Sequence, residues 1–236
     1  MVTEIFENKM KILIATHKRW NIERAYKLIA NEHTHIIKVI TKKEELTEEM
    51  LEDFAPNYVF FPHWSYYIPA NIYEKWECIV FHMTDLPYGR GGSPLQNLIV
   101  RGIKETKISA IKVVDELDAG AVYLKEDLSL DGAAHEIYDR ASKIIFEKMI
   151  PKILNEKIIP QEQMGKIVTF KRRNKSDSEL FPNMPIEKIY DYIRMLDAEG
   201  YPNAYIKFGE NKLEFYDAYY DGKNVEARVI IHKEEI

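Results

Sequence analysis

Residues 81–97 read FHMTDLPYGRGGSPLQN and put a histidine, a Leu-Pro pair, an arginine and three glycines into one short stretch. His82 ends an apolar run. There an imidazole is either a core residue held by backbone or, at the mouth of a site, a group that moves protons near neutral pH. The LPYGRGG segment that follows favours the second use, because its backbone can approach a ligand closely. Its glycines are not a phosphate loop: GRGGSP lacks the Walker lysine and does not fit GxGxxG. Thr84 and Asp85 suit a turn. Asp118, within ELDAG, is the second residue with chemistry to offer. A DAG tripeptide is a common tight turn, yet a carboxylate beside an imidazole fixes its tautomer and raises its basicity. His82 and Asp118 are therefore a candidate proton-handling pair.

The pair needs a scaffold that brings a strand end and a later loop together. MKILIAT (10–16) is a short buried strand, and residues 20–31 form a helix with Ile22, Ala25, Tyr26 and Ile29 on one face. HIIKVI (35–40) is a second strand and TKKEELTEEMLEDF (41–54) an acidic amphipathic helix. YVFF and ECIVF are the third and fourth strands, and SAIKVV (109–114) and AVYLKEDL (121–128) pair around ELDAG. AAHEIYDRASKIIFEKMIPKIL (133–154) reads as one long amphipathic helix. Strands alternating with helices imply a Rossmann-like, mostly parallel α/β sheet, where ligands bind beyond the carboxyl ends of the strands. His82 lies at such an end.

The texture changes after Pro160. A polar break, VTFKRRNKSDSELFP, leads to a helix, PIEKIYDYIRMLD (185–197), and then to alternating segments with Gly-containing turns, the pattern of antiparallel hairpins. The chain divides into a domain of residues 1–158 and a small α+β appendage of residues 159–236.

The net charge of −5 gives no global basic field for nucleic acid. KRR at 171–173 is a local candidate for an anion site. The one cysteine, Cys78, excludes an intrachain disulfide and sits in an apolar run, as an inert buried thiol does. No apolar run approaches the roughly 18 residues of a membrane span, so a cytoplasmic protein is expected. The histidines show no metal-ligand spacing, and no metal is expected.

The order His-x-x-x-Leu-Pro-x-x-Arg-Gly-x-x-Pro, followed by a distant Leu-Asp-x-Gly, resembles the formyltransferase family that uses 10-formyltetrahydrofolate. Here HMTDLPYGRGGSP carries His82, Leu86, Pro87, Arg90, Gly91 and Pro94 in step, and Asp118 stands 36 residues after His82, as in that family. The resemblance covers residues 10 to about 155 and implies a formyltransferase fold with His82 and Asp118 as catalytic residues. It implies a 10-formyltetrahydrofolate pocket from Phe61, Pro62, His63, Trp64, Leu86, Pro87, Val114 and Leu117. Arg90, Gly91, Gln96, Asn97, Lys171, Arg172 and Arg173 would meet the acceptor. One position departs: the family's Asn-x-His has Val80 in the asparagine slot, and valine cannot hold a formyl oxygen. His82 when protonated, Gln96, Asn97 and His63 are the candidate replacements.

TFKRR and IRMLDAEGYPNAYIKF resemble the tails of sugar-nucleotide N-formyltransferases, and GGSPLQN is similar to the branch serving pseudaminic-type pathways. The resemblance then implies a nucleotide-linked amino sugar as acceptor, no nucleic acid or membrane partner, and a possible homodimer through the tail. The alternatives are a different small amine acceptor, or a lapsed enzyme that binds folate or a nucleotide sugar without turnover, as Val80 suggests.

Overall fold

The computed structural model describes residues 9–233. β1 (Lys11–Ala15) is followed by α1 (Arg19–Asn31), β2 (Ile36–Ile40), α2 (Glu48–Phe54), β3 (Tyr58–Phe61), α3 (Ala70–Tyr73) and β4 (Cys78–His82). Then come β5 (Tyr88–Gly91), α4 (Pro94–Ile99), β6 (Glu105–Lys112), β7 (Val122–Ser129), α5 (Ala134–Ile144) and α6 (Ile150–Asn155). The tail holds β8 (Val168–Phe170), α7 (Ile186–Arg194), β9 (Ala204–Phe208), β10 (Asn211–Tyr220) and β11 (Val225–Lys233).

The main sheet has the order β2-β1-β3-β4-β6-β7. Its first four strands are parallel, and β6 and β7 join antiparallel. Leu13, Ile14, Val59, Phe60 and Ile79 are fully buried because helices cover both faces of the sheet. One apolar cluster fills the side of α1, α4, α5 and the tail; a smaller one lies under α2 and α3. This is the expected mixed α/β fold. β9, β10 and β11 form the expected antiparallel meander. No described helix is long and apolar enough to cross a membrane.

Three local expectations change. The acidic stretch 41–54 is two pieces, because the Thr47 side chain accepts a hydrogen bond from Met50 N and starts a new helix. The long helix of 133–154 is interrupted by a π turn at Ile145–Met149, next to Pro151, which has no N–H to continue the ladder. α1 buries Asn21 and Ala25, while Tyr26 is 56% exposed. The α1 stripe is rotated because Asn21 reaches the backbone of the β3 loop, donating to Pro62 O at 3.2 Å.

The glycine-rich stretch also contains an unexpected element. β5 lies within it and pairs in parallel with β8, so a strand of the tail is hydrogen-bonded to the segment after His82. Cys78 is buried, and loss of solvent pushes its thiol up to about 12, leaving an inert side chain.

Candidate active site

β4 carries His82 to the carboxyl end of the sheet, where the ring is only 9% exposed. Its Nε2 faces Gly89 O at 2.7 Å, and its Nδ1 lies 3.5 Å from Asp118 Oδ1. Both ring nitrogens thus face acceptors, an arrangement that a doubly protonated imidazole satisfies completely. Asp118 is aimed by its other oxygen, which accepts from Gly91 N at 2.8 Å. Its own backbone is left-handed, with φ of 54°, in the turn between β6 and β7. Asp tolerates that conformation better than most residues.

The segment between His82 and Gly91 is fixed from below. Ser109, opposite His82 on β6, donates from Oγ to Thr84 O at 2.7 Å, and Leu86 N donates back to Ser109 Oγ at 3.4 Å. The glycines then let β8 pass close by. A Cβ on Gly91, which has φ of 104°, would sit 2.5 Å from Phe170 O. One on Gly92 would sit 2.6 Å from Arg172 Cβ.

Of the eight residues expected around the formyl donor, Leu86 and Phe61 are 1% exposed and lie in the apolar interior. Pro62 contributes its carbonyl, which accepts from Thr16 Oγ1 at 2.7 Å and from Asn21 Nδ2. Trp64 packs its ring 6.1 Å from that of Phe61, and its buried Nε1 has no partner. Pro87 follows Leu86 through a cis peptide bond. Val114 and Leu117 are 38% and 69% exposed on the loop that holds Asp118. His63 is turned by a positive φ of 54° toward a different cluster. Its ring lies 4.8 Å from that of Tyr138 and 5.6 Å from that of Trp20, and Nε2 is 3.2 Å from Tyr201 Oη. Burial, with positively charged Lys18 nearby, pushes the His63 imidazole down to about 3, so it is neutral at ordinary pH.

This second cluster was not foreseen as a unit. Trp20, Tyr138 and Tyr201 stack in series, with centroid spacings of 5.4 and 5.3 Å. Lys18 Nζ lies 5.6 Å from the Trp20 ring and 5.3 Å from that of Tyr201, and burial lowers its pKa. His17 and Lys18 lie two and three residues past the end of β1, so the rule that ligands gather at carboxyl ends of strands could have flagged them. Nothing local in the sequence marks Tyr138.

The seven residues expected at the acceptor divide into two groups. Arg90, Gly91, Gln96, Asn97 and Arg173 are engaged by the protein itself, Gly91 through its N–H to Asp118. Arg90 donates to Gln163 and, at 2.8 Å, to Glu116. Gln96 Nε2 donates to Tyr138 Oη and Met195 O, and Asn97 Nδ2 to the carbonyls of Gly92, Ser93 and Lys171. Arg173 donates to Asp177 O and lies 5.2 Å over the Tyr192 ring. Lys171 and Arg172 are exposed beside Gly91 and Gly92. Two candidates for the slot left by Val80, Gln96 and Asn97, therefore have their amide donors committed elsewhere.

Residues 175–232 match the family model described as the C-terminal domain of methionyl-tRNA formyltransferase. A protein named methionyl-tRNA formyltransferase from Rickettsia bellii is 25% identical over 208 residues, covering 82% of this chain and 66% of that protein. The solved structure titled methionyl-tRNA formyltransferase from Clostridium thermocellum is 53% identical with a TM-score of 0.93, covering 95% of this chain and 99% of that one. A structure from Mycobacterium tuberculosis described as a likely sugar N-formyltransferase shares the fold, with 17% identity, a TM-score of 0.72 and coverage of 91% and 100%. The chain spans 58–66% of the length of the first curated relatives it matches.

Proposed function

This chain belongs to the formyltransferase family, and we propose that it moves a formyl group from 10-formyltetrahydrofolate to a primary amine, with His82 and Asp118 handling the proton. The observation that carries this reading is the imidazole–carboxylate pair, 3.5 Å apart at the end of a central strand.

The residues beside that pair fit a flat folate ring. Val114 and Leu117 expose apolar surface on the Asp118 loop, and Trp64 has a buried N–H without a partner. Bound there, the folate supplies the formyl carbon on its N10. His82 takes the proton that the amine gives up on attack, Nε2 exchanging Gly89 O for the incoming group. Asp118 steadies the charged ring through Nδ1, and His82 returns the proton to the leaving nitrogen. With Val80 unable to donate, the protonated His82 also serves the developing oxyanion.

The acceptor we propose first is methionyl-tRNA, supported by the names of the 53% identical relative and of the model matching the tail. A second reading, a nucleotide-linked amino sugar, is favoured by charge. The chain is net −5, and its cations at the site, Lys171, Arg172 and Lys18, make a patch for one or two phosphates rather than an RNA footprint. In both readings Arg172 meets a phosphate and the stack of Trp20, Tyr138 and Tyr201 borders the acceptor. The tail is then a recognition module appended at about residue 159. A homodimer through it is part of the proposal, supported by exposed Ile230 and Ile231 on β11, and sedimentation at micromolar concentration would detect it.

The test incubates the protein and 10-formyltetrahydrofolate with methionyl-tRNA and, separately, with UDP- and dTDP-linked amino sugars. Mass spectrometry then looks for a gain of one CO on the amine. Formylated methionine selects the first acceptor, and a formylated sugar selects the second. Folate binding without formylation of any acceptor overturns the reading in favour of a binding protein.

A further inference from the structure

Gln163 lies beyond the main domain, in the segment that leaves α6 and crosses back over the sheet edge before β8. That segment is docked at its start: Val122 N donates to Gln161 O at 2.7 Å, and Gln161 N donates to Val122 O at 2.9 Å. Two residues later the Gln163 side chain enters the loop that carries Asp118. Its Nε2 donates to Asp118 O at 2.7 Å and to Gly120 O at 2.9 Å. Its Oε1 accepts from Arg90 Nε at 3.1 Å and from Arg90 Nη2 at 2.9 Å. Arg90 in turn holds Glu116 at the front of the same loop, and the next residue, Gly91, holds the Asp118 carboxylate through its N–H.

These bonds close a ring. The loop 116–120 is gripped at Glu116, at Asp118 by both backbone and side chain, and at Gly120. Every grip runs through Gln163 or through the two residues Arg90 and Gly91. A primary amide is suited to the position, because it must donate two bonds to carbonyls while accepting two from a guanidinium. Glutamate would meet the guanidinium but present oxygen to two carbonyls. Asp118 sits in a left-handed turn, a conformation that neighbouring bonds must hold in place.

We infer that Gln163 is a positioning residue of the active site: it clamps the Asp118 loop so that the carboxylate stays within reach of His82. The inference rests on the roles proposed above for His82 and Asp118. Arg90 belongs to the same clamp.

The expected effect is a fall in kcat of about 10–100-fold for Gln163→Ala, with the KM for the amine changed less than about threefold, as for a displaced catalytic group. Gln163→Glu, close to the native shape, should fall as far. Gln161→Ala, whose side chain bonds only Ile159 O, should match the wild type. A merely structural role would also lower activity, so the deciding comparison is made with Asp118 absent. Asp118→Ala with Gln163→Ala should be no slower than Asp118→Ala alone, because Gln163 acts only through that carboxylate. Multiplying effects would overturn the proposal.

Amide hydrogen exchange at Gly91 judges the clamp without turnover. Exchange should accelerate in Gln163→Ala and in Asp118→Ala alike. Unchanged protection in Gln163→Ala or Gln163→Glu would overturn the inference, even if the formyl-transfer reading survived. Accelerated exchange in a protein that formylates nothing would uphold the clamp while that reading failed.

Discussion

Replacing Asp118 by Asn tests whether the carboxylate stabilises a charged imidazole. The substitution preserves shape, and the reversed polarity follows from the contacts. Gly91 N–H needs an acceptor, so the Asn oxygen takes that place and the amide NH2 turns toward His82 Nδ1. A donor then faces the nitrogen that must carry a proton when the ring is charged. At 3.5 Å the lost attraction is about 4.7 kcal/mol for an effective dielectric constant of about 20, and about 1.2 kcal/mol in bulk water. The two side chains are 9% and 11% exposed, which places the pair between these limits and nearer the first. At about 1.4 kcal/mol per decade the expected loss in kcat is about 10²-fold to 10³-fold, and the bulk-water limit corresponds to about sevenfold. The assay follows tetrahydrofolate release at saturating amine, with thermal melting to verify that the variant is folded. A folded Asp118→Asn protein that keeps kcat within threefold of the wild type would refute the charge argument.

Val80→Asn should restore a donor to the oxyanion slot. Because protonated His82 is proposed to serve the oxyanion, we expect kcat to change less than about threefold, far short of the full donor effect of about 10²–10³, with a small drop in Tm from placing an amide in an apolar wall. A rise of tenfold or more would mean that the slot lacks a donor and that His82 does not serve the oxyanion. His63 makes the fold sensitive to acid. Its folded pKa, about 3, lies below the unfolded value of 6.5, so the stabilisation is complete above 6.5 and is lost as pH falls toward 3. The slope approaches about 1.4 kcal/mol per pH unit. Urea midpoints for His63→Gln should fall less steeply below pH 6.5 than those of the wild type, and parallel curves would contradict the burial argument. Gly91→Ala, at φ of 104° and with its Cβ meeting Phe170 O at 2.5 Å, should cost at least about 1–3 kcal/mol and loosen β5 from β8, seen as a lower Tm.

His82 was legible because an apolar run stopping at a histidine marks the end of a buried strand. Asp118 was legible through its spacing and the family pattern. The polar side chains between them were less so. Arg90, Gln96 and Asn97 sit in a glycine-rich stretch that reads as a ligand-facing surface, although the structure puts them on β5 and α4. Their partners, however, are Gln163, Met195 and Lys171, which are 73, 99 and 74 residues away. No local period encodes such pairings. The face of α1 was misread for a similar reason. Periodicity ranks Tyr26 as apolar, whereas the tertiary bond from Asn21 to Pro62 O sets the rotation of the helix. The stack of Trp20, Tyr138 and Tyr201 joins three distant elements and is visible only once they are packed.

The pairing of β5 with β8 has a consequence for anyone who would exchange tails between members of this family. The polar break after Pro160 invites a splice near residue 160, where the sequence changes character. A graft made there would discard Gln163 and Phe170 together with the native tail, and so remove the residues bonded to the Asp118 loop and to β5. A chimera meant to change the acceptor alone should keep native sequence through Phe170 and join the foreign segment after it. The seam that preserves these contacts then lies about ten residues downstream of the seam that composition suggests.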